Sequence, residues 1–172
     1  FVIADVCDKG VGAALFMGLF RSLIRAFGQQ HHTLSWMDAL IDDDPVVHAT
    51  WPGRRRGVPT IGASALRDAI GMTNNYIART HEQAIMFATV FFGALDPTTG
   101  SLLYVNAGHD SPIIVGPGGV RAELEPTGPL VGVIPGETFD IGEAQLDPGD
   151  TLLAYTDGVT EARAPDGTFF TE

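Results

Sequence analysis

Two aspartates stand where a chain can offer a carboxylate from a rigid support. Asp5 ends the apolar run "FVIA" and is followed by "VCDKG", a glycine-broken turn, and then by a helical pattern. Asp157 follows "DTLLAYT", and Gly158 lets the chain turn at once. Hard cations such as Mg²⁺ and Mn²⁺ prefer carboxylate and carbonyl oxygens, with water completing the shell. Residues 5–10 offer the Asp5 side chain and the Val6 carbonyl to one or two ions. No Ser-His-Asp or Cys-His nucleophile assembles from the pattern, so hydrolysis by a metal-activated water is the leading enzymatic class. The plainer alternative is that each Asp caps its own turn, "TDG" being a common turn signal. Two strand–Asp–turn segments argue for convergence on one cluster better than either does alone.

Other polar residues have plain and functional readings side by side. His109 in "NAGHDSP" follows a strand and could orient a phosphate or a metal-bound water; the alternative is a turn histidine tied to backbone. His31 and His32 are read at a helix end, facing solvent, where a cation suits the dipole. Arg54, Arg55 and Arg56 could grip a phosphoprotein, since arginine matches phosphate bidentately, or lie solvated in an exposed loop. Cys7 reads as a small buried hydrophobe. "GVGAAL" lacks the full dinucleotide fingerprint.

The elements that must position these residues follow from periodicity. "FVIA" is a short apolar run suited to a strand buried on both faces. From Val11 to about Phe27 a helix has one ridge of Leu15, Leu19, Leu23 and Phe27, with Phe16, Phe20 and Ile24 beside it. A shorter helix capped by Thr33 or Ser35 runs through Ile41 and stops at "DDDP". "VVHATWPGRRRGVPT" reads as loop. A second long helix spans roughly 61–79. From Met86 onward the chain reads as β: "MFATVFFGAL", "SLLYVNA", "PIIVG", "TFDIG" and "DTLLAY", parted by "DPTTG", "GPGG" and "DPGD". Helices first and hairpin-linked strands after predict an α+β fold with antiparallel sheets in a single domain.

Composition narrows the class of function. The 172 residues carry 10 Lys and Arg against 21 Asp and Glu, a formal charge of −11. That argues against nucleic acid and anionic lipid as partners. One cysteine allows no internal disulfide, which suits a reducing, cytoplasmic setting. No stretch is expected to span a membrane as a helix, and no signal peptide is expected. The chain starts without Met inside an apolar run and stops at "DGTFFTE", so it is expected to be a fragment.

Several segments in order, "ADVCDKGVGAALFMGLFRSLIRAF", "FATVFFGALDPTTGSLLYVNAGHDSPIIV", "PTGPLVGV" and "LDPGDTLLAYTDGVTEARAPDGTFF", resemble the SpoIIE-like, sigma-factor-regulating serine phosphatases of the metal-dependent PPM superfamily. The resemblance covers most of the chain and is weakest over 28–85. It implies a four-layer α-β-β-α sandwich with two antiparallel sheets, spanning 1–172 as one phosphatase domain truncated at both ends. It also implies a dinuclear Mn²⁺ or Mg²⁺ centre at one end. The substrate would be phosphoserine or phosphothreonine on an anti-sigma-factor antagonist protein, under control of an upstream sensor domain. By position, Asp5 matches the acid that bridges both metals, Val6 the residue lending a backbone carbonyl, and Asp157 the second-metal acid, with Gly158 shaping its turn. Asp8 stands where many relatives have a small residue; it would join the cluster through water or be spectator charge. Asp110 replaces an Asn often found after "GH". Further acids expected before Phe1 and after Glu172 are absent from the sequence. The helix 11–27, continuous with Asp5, is expected to carry regulation. The rival class is a degenerate, non-catalytic domain that binds a partner protein.

Overall fold

Strand β2 (Ala88–Leu95) sends alternate side chains into two different cores, and that alternation sets the layers. Val90 and Phe92 face one cluster; Phe91 faces the other. The computed structural model describes residues 1–41, 60–80 and 86–169, with side chains placed for 1–28, 62–80 and 86–169. Within it run β1 (Val2–Val6), α1 (Val11–Ile41), α2 (Thr60–Thr80), β2, β3 (Ser101–Ala107), β4 (Ile113–Gly116), β5 (Gly119–Glu123), β6 (Gly142–Gln145), β7 (Thr151–Leu153) and a single turn of helix, α3 (Asp157–Thr160). The first sheet has the order β1-β2-β3-β6 and the second β5-β4-β7, all pairs antiparallel.

One face of the first sheet is covered by both long helices. Phe16, Phe20 and Ile24 of α1 and Leu66, Ile70 and Ile77 of α2 pack on Ala88, Val90, Leu103, Val105 and Ala107. The other face meets the second sheet through Phe91, Leu102, Tyr104, Ile114 and Leu124. Each large apolar side chain taken out of water this way contributes on the order of 1.5–3 kcal/mol. Helix, sheet and sheet are three consecutive layers of the α-β-β-α sandwich, and the α+β class with two antiparallel sheets is as the sequence predicts.

Several elements differ from that prediction. The helix expected over 11–27 and the shorter one expected through Ile41 are one: Gly28 costs only about 1 kcal/mol in a helix interior, and no proline interrupts before "DDDP". His31 and His32 therefore lie within the helix rather than at its end. The buried stripe of α1 is Ala13, Phe16, Phe20 and Ile24; Leu15, expected on the ridge, is 72% exposed. Contrary to the sequence reading, Val11–Gly28 is long and apolar enough by composition to cross a membrane, but its Phe16, Phe20 and Ile24 lie in the core. β1 is an edge strand, with Phe1 and Val2 exposed, rather than a strand buried on both faces. "TFDIG" is not a strand: Phe139 drops into the helix-side core and pairing begins only at Gly142, where any Cβ would run into the Tyr104 ring. β5 was hidden by "GPGG", which is the hairpin turn joining Gly116 to Gly119. The loop predicted around Arg54–Arg56 lies outside the described residues.

Candidate functional site

Strand register brings four chain segments to one end of the sandwich. Val6 at the end of β1 pairs with Ala88 at the start of β2, and Val90 pairs with Ala107 at the end of β3. From there Gly108–Pro112 crosses from the first sheet to the second, entering β4 at Ile113. Ile113 pairs with Leu153, so the chain leaving β7 emerges beside that crossover and reaches Asp157 four residues later. Asp5 and Asp157 thus come from different sheets to the same end.

Asp5 lies two residues beyond Ile3, a member of the inter-sheet core, and so faces the seam between the sheets. It is half-buried, and its register partner is Thr89. Among the described residues no hydrogen bond or ion pair engages its carboxylate. The turn after β1 is shaped instead by Asp8, whose φ is 73° and whose Oδ1 accepts the Lys9 N–H at 2.7 Å. Asp8 is exposed, as turn residues usually are. Cys7 is half-buried rather than buried, and its Sγ accepts the Phe87 N–H at 3.2 Å.

Asp157 opens α3 and is exposed. Its backbone carbonyl accepts the Glu161 N–H at 2.7 Å and the Thr160 hydroxyl at 3.1 Å, while its carboxylate has no such partner among the described residues. Gly158 is not required by its own turn: it has no positive φ, and a Cβ there would meet only Thr156 Oγ1 at 3.5 Å.

His109 ties these parts together. It is 3% exposed, and its Nδ1 lies 2.7 Å from the hydroxyl of Thr89, the residue opposite Asp5. Its Nε2 is buried without a well-formed hydrogen bond, although the Tyr155 backbone lies near enough to favour a charged ring. Burial pushes the imidazole below its ordinary pKa, against the opposing pull of Asp110, the Tyr155 backbone, Asp5 and Asp157. Both aspartates, Asp5 on β1 and Asp157 at the start of α3, therefore act on one buried histidine.

The residue that fixes this loop is Asn106, fully buried at the end of β3. Its Oδ1 accepts the His109 N–H at 2.8 Å and its Nδ2 donates to the Leu124 carbonyl at 2.9 Å. Its backbone N–H donates to Thr127 Oγ1 at 3.0 Å and its carbonyl accepts the Thr127 N–H at 2.7 Å. From the other side, Asn74 of α2 accepts the Gly132 N–H at 2.8 Å and donates to the Ile134 carbonyl at 2.8 Å, pinning the "GPLVGV" loop. Sequence reasoning missed Thr89, Asn106 and Asn74. Of these only Asn106 had a local signal, a lone amide near the end of the apolar run "SLLYVNA"; Thr89 is the second residue of β2 and Asn74 lies on α2.

Among the described residues no three or more His, Cys, Asp or Glu side chains group closely enough to hold a metal ion. Asp5, Asp157 and the Val6 carbonyl are hard oxygen donors, which fits Mg²⁺ or Mn²⁺ in kind, with water filling the remaining positions.

A family model described as Stage II sporulation protein E (SpoIIE) matches residues 1–172. The chain belongs to the SpoIIE family. Protein IcfG of Synechocystis sp. is 45% identical over 169 residues, covering 98% of this chain and 26% of its own length. The crystal structure of the RsbU and RsbW domains of Rv1364c from Mycobacterium tuberculosis superposes with a TM-score of 0.55 at 26% identity, covering 94% of this chain and 36% of that one. This SpoIIE-family chain thus spans about a quarter of IcfG and about a third of the solved chain. The resemblance found in the sequence, to SpoIIE-like phosphatases of the PPM superfamily, holds.

Proposed function

We propose that this chain is the catalytic module of a metal-dependent phosphatase that removes phosphate from serine or threonine of an anti-sigma-factor antagonist protein. The observation that carries the reading is the arrival of Asp5 and Asp157 from two sheets at one buried histidine, each with an unengaged carboxylate. Membership of the SpoIIE family and likeness to a structure containing RsbU and RsbW domains support it and suggest partner switching as the setting. Asp5, the Val6 carbonyl and Asp157 would hold a pair of Mn²⁺ or Mg²⁺ ions. When bound, such ions supply Lewis-acid stabilisation of a phosphoryl group and a lowered water pKa. The protein's own part is positional. β1 and β7 fix the two carboxylates, and the Asn106–His109 turn holds a neutral imidazole against Thr89 at their side. An upstream sensor domain in the longer protein and a cytoplasmic location belong to the same reading.

The test is Mn²⁺-dependent phosphate release from phosphoserine by the full-length protein. Asp5→Asn and Asp157→Asn should each lower kcat/KM by at least about a hundredfold, the scale of losing a preorganised electrostatic contact, with circular dichroism unchanged. Wild-type turnover by both variants would sink these roles. The lack of a three-ligand cluster among the described residues favours a second reading, a non-catalytic module that binds a partner protein. It takes over if the full-length wild type releases no phosphate with either metal yet binds a phosphorylated partner.

A further inference from the structure

Just beyond Asp157 the chain builds a small wall. Arg163 and Phe169 form an antiparallel bridge, the Ala164 N–H donates to the Thr168 carbonyl at 2.8 Å, and the Gly167 N–H donates to the Ala164 carbonyl at 2.8 Å. Gly167 turns the chain with a φ of 86°. Asp166 Oδ1 accepts the Thr168 hydroxyl at 2.6 Å and its N–H at 3.0 Å, so this acid is spent within the turn. The Arg163 guanidinium lies 4.2 Å over the Phe169 ring centre. Held over the ring by this cation–π contact, Arg163 remains exposed. Among the described residues no carboxylate pairs with it, in a chain of 21 acids and 10 basic residues.

Between this wall and Gly158–Val159 runs an open groove of about 680 Å³. Val159 and Phe169, on its two sides, are 47% and 50% exposed, so large apolar surface faces water beside an unpaired cation. The groove begins at Gly158, the residue after Asp157. Charge narrows what can lie in it: Arg163 is the cation that lines the groove and favours one carboxylate beside it, while Asp157 and Glu161 nearby disfavour a longer acidic run.

We propose that this groove seats the extended segment flanking the substrate's phosphoserine, with an apolar side chain against Val159 and Phe169 and a carboxylate on Arg163. The inference rests on the phosphatase reading for where the phosphoserine sits, and it adds a sequence preference to that reading. Arg163 is a specificity-determining residue in it, reading the neighbour of the reacting group.

The full-length protein with Mn²⁺ is given synthetic phosphoserine peptides that share an apolar neighbour and differ at one flanking position, Glu, Gln or Lys. Wild type should prefer the Glu peptide over the Gln peptide about tenfold in kcat/KM, through KM, the scale of one charge-assisted contact. Arg163→Gln should bring that ratio to near one. Arg163→Glu should turn the preference toward the Lys peptide, which a folding defect would not do. No preference in wild type, or a preference that survives both variants, overturns the groove. Anisotropy of fluorescein-labelled peptides on the same proteins separates the two readings. Arg163-dependent binding preference without phosphate release keeps the groove and removes the phosphatase. Release without preference does the reverse, and neither binding preference nor release removes both.

Discussion

At His109 burial and charge pull in opposite directions. The ring is almost wholly out of water, which disfavours the imidazolium, while Asp110, the Tyr155 backbone, Asp5 and Asp157 favour it; burial wins and the folded-state pKa lies below 6.5. The linkage has one sign. Between the folded pKa and the unfolded value of 6.5 the unfolded chain binds a proton that the folded chain refuses, so stability is full above 6.5 and falls as pH drops through the folded value. Urea midpoints of the metal-free full-length protein should therefore fall between about pH 7.5 and about pH 5.5, a window above most carboxylate titrations. His109→Gln should flatten that fall, whatever it does to stability at neutral pH. An equal fall in both proteins would place the titration elsewhere. At this scale the sequence showed Asp5, Asp157 and His109 as candidates but not what holds them. Asn106 reaches His109 three positions on, but its contacts to Leu124 and Thr127, and that of Thr89 to His109, span 18 to 21 positions, and partners that distant carry no local pattern.

Helix α1 shows how far periodicity reaches and where it stops. An apolar residue at nearly every inward or sideways position makes several ridges equally plausible, and the sequence reading chose Leu15, Leu19, Leu23 and Phe27 as one of two. Packing chose the other: Phe20 is 2% exposed and Leu15 72%. The two positions should respond very differently. Phe20→Ala should cost about 3–5 kcal/mol in chemical denaturation. Leu15→Gln should stay within about 0.5 kcal/mol, as surface changes away from special contacts do. A large loss at Leu15 would mean that this face is covered in the full-length protein. The strands were legible where an apolar run and turn chemistry agreed, as in "SLLYVNA" and the "DPTTG" hairpin. They were not legible where glycines serve the pairing itself. Gly142 admits β6 beside Tyr104, and Gly116 and Gly119 close β4 onto β5, so residues that ordinarily signal a break here sit inside the sheets.

Across the whole molecule the two aspartates do something neither does within its own strand. Asp5 belongs to the first sheet and Asp157 follows the last strand of the second, 157 − 5 = 152 positions apart in the chain. A cation held by both would cross-link the sheets at their common end, and only in the folded state, because the unfolded chain does not bring the pair together. Such a ligand stabilises by mass action: about 2.7 kcal/mol at a concentration one hundred times its Kd. For a domain of this size that is on the order of 5–10 °C in Tm. A chain of net charge −11 also collects divalent cations loosely over its surface, so a rise in Tm by itself decides nothing. The variants decide it. In the full-length protein Mn²⁺ should raise Tm in a manner EDTA reverses, and Asp5→Asn or Asp157→Asn alone should remove most of the rise. The double variant should lose little more than either single one, since two ligands of one ion are not additive. A rise that persists undiminished in both single variants would mean that the cation binds elsewhere. The sheets would then be joined at this end by the Asn106–His109 crossover without it.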